Sequence, residues 1–586
     1  MKKNVYNCPA MRKELKALGP LTDIKQMVER LDQLYSNKIM ISEKKDGVVV
    51  SYSAKKIRED VESLAVSFME LGLAGDNIVV IGENSYAWLI AYFAVVCSGN
   101  VAVPLDKELT DDGIARLTAQ ADARAFIYSD TFSACAKAAL NSCDTVEYTI
   151  GMYSSFSGSG SFGMEDLIKQ GKRSLRRADC PYREIKMNPE DVCEIIFTSG
   201  TTGANKGVML SHKNVCTVLN AIVEMFPVEP STFSVLPLSH TYEKNCNVLG
   251  ALCLGTKVYF NDSLKYLVSN MDLFKPHMSC MVPLLLDVLY KNIWSSSKKM
   301  GLEKHLKLGL RISTPLKYVG VDLREKLFQP ITNKFGGNFR FVICGGAPLN
   351  PDLLKGLNHL GFNIANGYGI TECAPLVSVN LNSWWDPESV GAPIPGVQVK
   401  IGDKDGDGNG EILVKGGNVM VGYYKDPEST QASFDEDGWF KTGDFGHLDS
   451  RGRIVVAGRK KNLIILDNGK NVHPEEIETI VLDSVPYIKE VVVHAAENES
   501  SVKEGKQQII AAEVFMDPDY IEQNKLENLS DLIAEDIRRV NKKLPVYKQI
   551  HYIGISDQEF EKTTTKKIRR FKVIDNVQQN SKVKIM

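Results

Sequence analysis

What the 586-residue chain lacks limits its function before any motif is read. No charge of one sign dominates: 70 Lys and Arg stand against 72 Asp and Glu. A nucleic-acid binder gathers a basic face against the phosphate backbone, so no nucleic-acid partner is expected. There is no CxxC pair, and the twelve cysteines are scattered from Cys8 to Cys373 without regular spacing. That pattern argues against a zinc site or a disulfide frame and for reduced thiols in a cytosol. There is no long apolar run. The longest, Ala87 to Cys97, is too short to cross a bilayer and predicts a buried helix. The N-terminal MKKNVYNCPAMRKEL is basic but has no apolar segment behind it, unlike a signal peptide. No transmembrane segment is therefore expected. The expected location is the cytoplasm, and composition leaves open a peripheral contact with the inner face of a membrane. No internal repeat is visible.

What is present reads as a large α/β enzyme. The length exceeds one hydrophobic core, so two or more domains are expected. Short β-rich runs at 77–81, 101–104 and 125–128 alternate with helical patterns at 55–72 and 86–98, which predicts a mostly parallel sheet. The Ser/Gly-rich 153–163 predicts a surface loop. Further strands are expected at 192–197 and at 341–344, the latter running into a Gly-Gly turn. From about residue 388 short strands and turns predict a β-rich subdomain. The remainder mixes strands at 490–494 and 509–515 with an amphipathic helix at 526–543. The expectation is an N-terminal domain over 1–460, built of α/β subdomains plus the β-rich subdomain. A small, mobile α+β C-terminal domain over 461–586 follows, joined by a short hinge.

One stretch carries chemistry by itself. In FTSGTTGANKGVMLSH (197–212) the apolar Ile195, Ile196 and Phe197 predict a buried strand. Thr198, Ser199, Gly200, Thr201, Thr202 and Gly203 follow, with Lys206 just beyond. Glycines let backbone N–H groups curl around an anion, hydroxyls add donors, and a lysine adds a point charge. A plain Ser/Thr/Gly surface turn is the common fate of such a composition. The strand before it and the length of the hydroxyl run argue for a phosphate loop. The Walker spacing fails, because five residues after Gly200 stands Asn205 and five after Gly203 stands Val208. DKDGDGNGE (403–411) fails as a calcium loop, since position twelve is Val414 instead of glutamate, and reads as a hairpin turn.

TSGTTGANKG resembles the signature loop of the adenylate-forming superfamily: acyl-CoA synthetases, firefly-type luciferases and peptide-synthetase adenylation domains. The superfamily's other motifs follow in order: PLSH (237–240), GGAP (345–348), NGYGITE (366–372), TGD (442–444), GRKKNLIILDNGKNVHPEEIE (458–478) and EKTTTKKIRR (561–570). The resemblance spans residues 30 to 570 or so. PLSHTYE and NGKNVHPEEIE look most like bacterial long-chain fatty acyl-CoA synthetases.

The resemblance implies ATP, Mg²⁺ and CoA, with a fatty acid as the acid substrate. The acid would be activated as acyl-AMP with release of pyrophosphate and then passed to CoA. The phosphopantetheine of an acyl carrier protein is an open alternative acceptor. A luciferase-type oxygenase or a non-catalytic nucleotide or acyl sensor would share the ATP motifs. The resemblance implies that Thr198 to Gly203 and Lys206 cradle the outer phosphates. It also implies that Gly345, Gly346 and Ala347 line the adenine, that Tyr368 beside Gly369 stacks on it, and that Thr371 donates to the α-phosphate. Glu372 would hold Mg²⁺, and Asp444 would accept the ribose hydroxyls. Arg459 would meet ribose or phosphate, His240 would border the acid substrate, and Lys461 would be the hinge. Plainer readings stand beside these: a core tyrosine at 368, a solvated acid at 372, a simple turn at 345–347, a surface arginine at 459 and a structural histidine at 240.

Lys567 is implied as the catalytic lysine. The superfamily's P-K-T-x-S-G-K-I reads E-K-T-T-T-K-K-I here, with Glu561 in place of proline and Lys566 in place of glycine. Adjacent residues of an extended segment point opposite ways, so one of Lys566 and Lys567 would enter the site. A basic surface tail is the plainer alternative.

Overall fold

The computed structural model describes residues 18–585 apart from 156–157, 200–204, 300, 302, 319–320, 325–326, 330–332, 407, 467–469, 498–507, 563–567 and 578–580. Two compact units result. One takes the chain up to Val399 together with Val414–Phe440, and the other takes Lys400–Leu413 and the chain from Lys441 onward.

The first unit is built on two large sheets. One has eight strands in the spatial order Gly422–Tyr423, Asn205–Ser211, Val192–Ser199, Val101–Pro104, Asn77–Ile81, Ala125–Tyr128, Tyr148–Gly151, Ser161–Gly163. Pairing is parallel from Val192–Ser199 to the far edge, and the first two strands are added antiparallel. The other sheet has nine strands, with Leu376–Asn380, Asn363–Gly369, Phe341–Cys344, Met278–Met281 and Ser231–Ser234 side by side. Its middle pairings are also parallel. Parallel strands need cover on both faces, which explains why these strands read as unbroken apolar runs.

The apolar segment expected as a buried helix is one. Tyr86–Cys97 is buried at every residue, and the Ser85 side chain caps it by accepting the Trp88 N–H. It belongs to a core that takes Ile78 and Val80 from one sheet and Ile41, Val258 and Phe260 from the other. The expected strands at 77–81, 101–104 and 125–128 are present with those bounds. The 153–163 segment is not all loop: Ser161–Gly163 pairs in parallel with Tyr148–Gly151 as an edge strand. No described helix is long and apolar enough to cross a membrane. The eleven cysteines among the described residues are free thiols, most of them buried.

The second unit contains most of a four-stranded sheet ordered Val397–Ile401, Gly410–Gly416, Phe440–Leu448, Ile454–Arg459. The acidic 403–409 stretch is the hairpin turn, with Asp405 N–H bonded to the Asn409 carbonyl at 2.7 Å. Helix Pro474–Ser484, helix Leu529–Asn541 and a sheet of Ile488–Glu497, Gln508–Met516, Ile550–Ser556 and Ser581–Lys584 share one core. Helix Leu529–Asn541 starts three residues later than its pattern predicts, because Asn528 takes a left-handed backbone (φ 51°) that the helix cannot include. By packing, residues 400–413 and 441–460 group with the C-terminal segment. The cause is local: Asn471 Nδ2 donates to Asp405 Oδ2 at 3.1 Å, and the His473 ring lies 5.5 Å from that of Phe445.

Candidate active site

The candidate residues fall on both units. In the first unit, Val192–Ser199 and Asn205–Ser211 pair antiparallel, with Thr198 opposite Lys206 and Ser199 opposite Asn205. The two strands that flank the loop are therefore antiparallel partners up to Ser199 and Asn205. Gly200, Thr201, Thr202 and Gly203 lie outside the described residues, as does the Ser199 side chain. The Thr198 hydroxyl sits 3.5 Å from the Lys206 carbonyl. Lys206 Nζ donates to Ser429 Oγ at 2.8 Å and stands 4.7 Å over the Tyr423 ring. The Tyr423 O–H donates to Glu372 Oε1 at 3.0 Å. Burial and the Glu372 carboxylate push the phenol well above its ordinary range, so it remains a donor. A lysine, a phenol and a carboxylate from three distant segments thus meet in one place.

Backbone pairing holds Tyr423 and Glu372 there. Gly422 and Tyr423 pair with Met209 and Val208, the Tyr424 N–H donates to the Gly207 carbonyl at 2.7 Å, and the Met420 N–H donates to the Glu372 carbonyl at 2.8 Å. Tyr368 and Gly369 end the strand Asn363–Gly369, after which the chain turns through Thr371–Cys373 and pairs back as Leu376–Asn380. Any Cβ on Gly369 would stand 2.1 Å from the Pro375 carbonyl oxygen, so this reversal admits only glycine. Tyr368 is buried. Gly345, Gly346 and Ala347 follow the neighbouring parallel strand Phe341–Cys344, and a Cβ on Gly345 would come within 3.2 Å of the Gly367 carbonyl oxygen. The Gly-Gly-Ala turn and the Tyr368 turn therefore lie at the carboxyl ends of adjacent parallel strands, where open α/β sheets hold ligands.

His240 lies on the loop after strand Ser231–Ser234. Its Nε2 is 3.2 Å from Oδ2 of Asp106, a nearly buried carboxylate just past strand Val101–Pro104 of the other sheet. Asn84, just past strand Asn77–Ile81, grips the same loop: its Nδ2 donates to the Leu236 carbonyl at 2.6 Å and its Oδ1 accepts the Leu238 N–H at 3.0 Å. After His240 the chain forms a π-helical turn, Tyr242–Leu249. Its Lys244 is fully buried and pairs with Glu194 Oε2 at 2.5 Å. The Tyr92 O–H donates to that same oxygen at 3.0 Å. Asn245 Nδ2 donates to the Ala374 carbonyl at 3.0 Å. The histidine loop is thus tied both to the strand that runs into 198–206 and to the turn after Glu372.

In the second unit, Asp444 stands directly across from Arg459, and Arg459 Nε meets Asp444 Oδ1 at 2.8 Å. Asp444 is buried, and its N–H donates to Thr442 Oγ1 at 3.0 Å. Arg459 is half-exposed yet ion-paired, which separates it from a solvated surface arginine. Lys461 sits in the turn Lys460–Asn462. Partial desolvation and the charges of Arg459 and Arg570 hold its ammonium below the usual lysine range. Lys566 and Lys567 lie outside the described residues. Their flanks are folded: Lys562 bridges Ile568, Arg569 pairs with Glu561 at 2.8 Å, and Arg570 pairs with Glu478 at 2.6 Å.

Among the described residues no group of three or more His, Cys, Asp or Glu side chains could hold a metal ion. Glu372 is a lone carboxylate with one oxygen bonded to Tyr423. That donor set fits Mg²⁺, which takes one or two carboxylates and leaves its other positions to phosphate and water oxygens.

Asp106, Asn84, Tyr423 and the Lys244–Glu194 pair are absent from the motifs read in the sequence. No motif and no periodicity marks any of them in the sequence.

The AMP-binding enzyme family matches residues 30–424, and the AMP-binding enzyme C-terminal domain matches 461–580. The chain is similar to long-chain-fatty-acid–CoA ligase 5 of Mus musculus, 28% identical over 568 residues, covering 87% of this chain and 79% of that one. It is 26% identical over 563 residues to long-chain-fatty-acid–CoA ligase FadD15 of Mycobacterium bovis, covering 90% of each. Among solved structures, ATP-bound MatB from Rhodopseudomonas palustris has the same fold, with a TM-score of 0.73 at 23% identity over 94% of this chain and 99% of that one.

Proposed function

This chain belongs to the AMP-binding enzyme family, and from that premise we propose that it is an AMP-forming acid–thiol ligase acting on a fatty acid of medium to long chain. The observation that carries the reading is the meeting of Lys206, Tyr423 and Glu372 beside the turn that bears Tyr368 and Thr371. The relatives named as fatty-acid–CoA ligases support the substrate class.

In the first half-reaction a carboxylate oxygen attacks the α-phosphorus of ATP. The bond to the β-phosphate oxygen breaks and pyrophosphate leaves. Two anions must approach, so the site has to supply cations and donors, with little covalent chemistry of its own. Lys206 and the hydroxyls and N–H groups of 198–203 hold the β- and γ-phosphates. Thr371 donates to the α-phosphate. Gly345, Gly346 and Ala347, with Tyr368 and Gly369, hold the adenine, and Asp444 and Arg459 hold the ribose. Glu372 would hold Mg²⁺, which when bound withdraws charge from the phosphate oxygens. His240, steadied by Asp106, borders the substrate carboxylate. Lys567 contacts the carboxylate and phosphate oxygens.

In the second half-reaction the sulfur of CoA attacks the acyl carbonyl. The carbon–oxygen bond to AMP breaks, and AMP leaves with both electrons. The thiol needs Lys567 withdrawn, so a domain over 461–586 rotates about Lys461 relative to 1–460 between the two halves. The reaction takes place in the cytoplasm, with peripheral contact to the membrane that supplies the acid.

The test is mass spectrometry of products from the purified chain with ATP, Mg²⁺, CoA and a ladder of fatty acids. Acyl-CoA is the expected product, and the ladder reads the chain length. Acyl-AMP and pyrophosphate without acyl-CoA would transfer the acceptor role to a carrier protein. No ATP consumption with any acid would leave a sensor as the better reading.

A further inference from the structure

Helix Pro427–Ala432 reaches the candidate site through one side chain: Ser429 Oγ accepts a hydrogen bond from Lys206 Nζ at 2.8 Å. The place of that serine is fixed by its own surroundings. Asp426 caps the helix and accepts the Ser429 N–H at 2.9 Å. The Ser433 hydroxyl donates to the Ser429 carbonyl at 2.7 Å. Thr430 Oγ1 accepts the Tyr423 N–H at 2.9 Å and donates to the Asp426 carbonyl at 2.8 Å. Gly422 and Tyr423 pair in turn with Met209 and Val208, on the strand that carries Lys206. Serine and lysine are therefore registered to each other through the backbone as well as through their own contact.

The surroundings of the Lys206 ammonium hold it without neutralising it. Among the described residues its contacts are the Ser429 hydroxyl and the face of the Tyr423 ring, with no ion pair. Asp426 is the nearby carboxylate. The Ser429 N–H and hydroxyl, together with the charge of Lys206, hold its carboxyl below the ordinary range. The serine hydroxyl thus stands between a cation and an anion, and because it accepts from the cation its one proton is left for the anion. An ammonium has three N–H donors, so donors remain for a phosphate after one has gone to Ser429. A carboxylate at position 429 would instead pair with the ammonium and compete with the phosphate for its charge.

We propose that Ser429 is a positioning residue for the ATP-dependent step: its hydroxyl fixes the direction of the Lys206 ammonium and leaves its charge to the outer phosphates. The inference deepens the proposed function and rests on its placing of Lys206 at the β- and γ-phosphates. A lysine carries its charge on a flexible four-carbon stem and loses much freedom when the charge is held in one place. A contact made before the nucleotide arrives takes that loss in advance, so less of the binding energy is spent on ordering the side chain. The effect passes through Lys206 and disappears when Lys206 is removed.

A double-mutant cycle on pyrophosphate release by the full chain tests it, with kcat/KM for Mg-ATP as the readout. Ser429→Ala should lower kcat/KM about tenfold, mainly through KM. The same change in a Lys206→Ala chain should cost less than about twofold. Ser429→Thr keeps the hydroxyl and should recover most of the loss, whereas Ser429→Asp should fall below Ser429→Ala. Alanine suits a helix at least as well as serine, so the unfolding midpoint of Ser429→Ala should hardly move. An unchanged kcat/KM in Ser429→Ala, an equal loss in both backgrounds, no recovery with Ser429→Thr, or a Ser429→Asp chain as active as wild type would each overturn the proposal. If no acid makes the wild-type chain consume ATP, the ligase reading falls, and the same cycle is read as Mg-ATP affinity by calorimetry. Coupling of Ser429 to Lys206 in that affinity upholds the proposal, and the absence of coupling or of any Mg-ATP binding overturns it.

Discussion

At the scale of single residues, Tyr423 is the most informative. Its ring lies beneath the Lys206 ammonium and its hydroxyl holds one oxygen of Glu372, so it orders a cation and an anion at once. Tyr423→Phe keeps the ring and removes the donor. A hydrogen bond to a charged group contributes about 1.5–3 kcal/mol, so kcat/KM for Mg-ATP in the adenylation half-reaction should fall about tenfold or more. The unfolding midpoint should hardly move, since the phenol ring remains. Pyrophosphate release measured across ATP concentration checks this, and an unchanged kcat/KM would remove Tyr423 from the site. Asp106 Oδ2 stands 3.2 Å from His240 Nε2, and as with Tyr423 and Glu372 the two side chains come from segments far apart in the chain.

At the scale of elements, the π-helical turn Tyr242–Leu249 concentrates the buried polar groups. Lys244 and Glu194 are both fully buried, and each is tolerable only because of the other. Lys244→Met alone should lower the unfolding free energy by about 3–5 kcal/mol, because it strands a buried carboxylate. Lys244→Met with Glu194→Leu should recover most of that loss, and urea titration of the three proteins reads both results. If the double variant is as unstable as the single one, the pair is not what the turn depends on.

Glu243 in the same turn is a second, distinct case. Burial raises its carboxyl from an ordinary value of 4.5 to about 8, against donors from Ser234 and Asn247. The folded state therefore holds a proton that the unfolded chain has released between those two values. Its contribution to stability is full below about pH 4.5, falls as pH rises, and is lost by about pH 8. Glu243→Gln stays neutral throughout. The stability of wild type relative to this variant should decline steadily over that window, and parallel unfolding curves across it would show that Glu243 does not titrate as described.

At the scale of the whole molecule, the chain carries its candidate residues on two units, with Lys206, His240, Tyr368 and Glu372 on one and Asp444, Arg459 and Lys461 on the other. The proposed reaction in two halves gives a reason for that distribution, since its first half would use Lys567 and its second would need that lysine withdrawn. Lys567→Ala should cut acyl-AMP formation by about a hundredfold or more, yet leave thioester formation from supplied acyl-AMP within a few-fold of wild type. Lys566→Ala should affect neither half strongly. Equal losses in both halves for Lys567→Ala, or a larger adenylation loss for Lys566→Ala, would reassign the lysine.

The sequence alone determined whatever depends on neighbours along the chain. The all-round apolar Tyr86–Cys97 could only be a buried helix, and acid-and-glycine-rich 403–409 could only turn a hairpin. The apolar Ile195, Ile196 and Phe197 before the hydroxyl run marked a strand, and Val192–Ser199 is one; that it pairs with Asn205–Ser211, Thr198 opposite Lys206, came only from the structure. The motifs sufficed to mark the family by resemblance, since each is a run of adjacent residues and they follow in the family's order. Tertiary structure alone decided which polar side chains meet. Lys206 finds Ser429 across 223 residues, Lys244 finds Glu194 across 50, and Glu372 finds Tyr423 across 51. A lone Tyr, Asp or Lys carries no periodicity and no local backbone preference strong enough to mark it. Its role comes from a burial cost that only one distant partner can offset, and that partner is set by how the strands are ordered in the sheets.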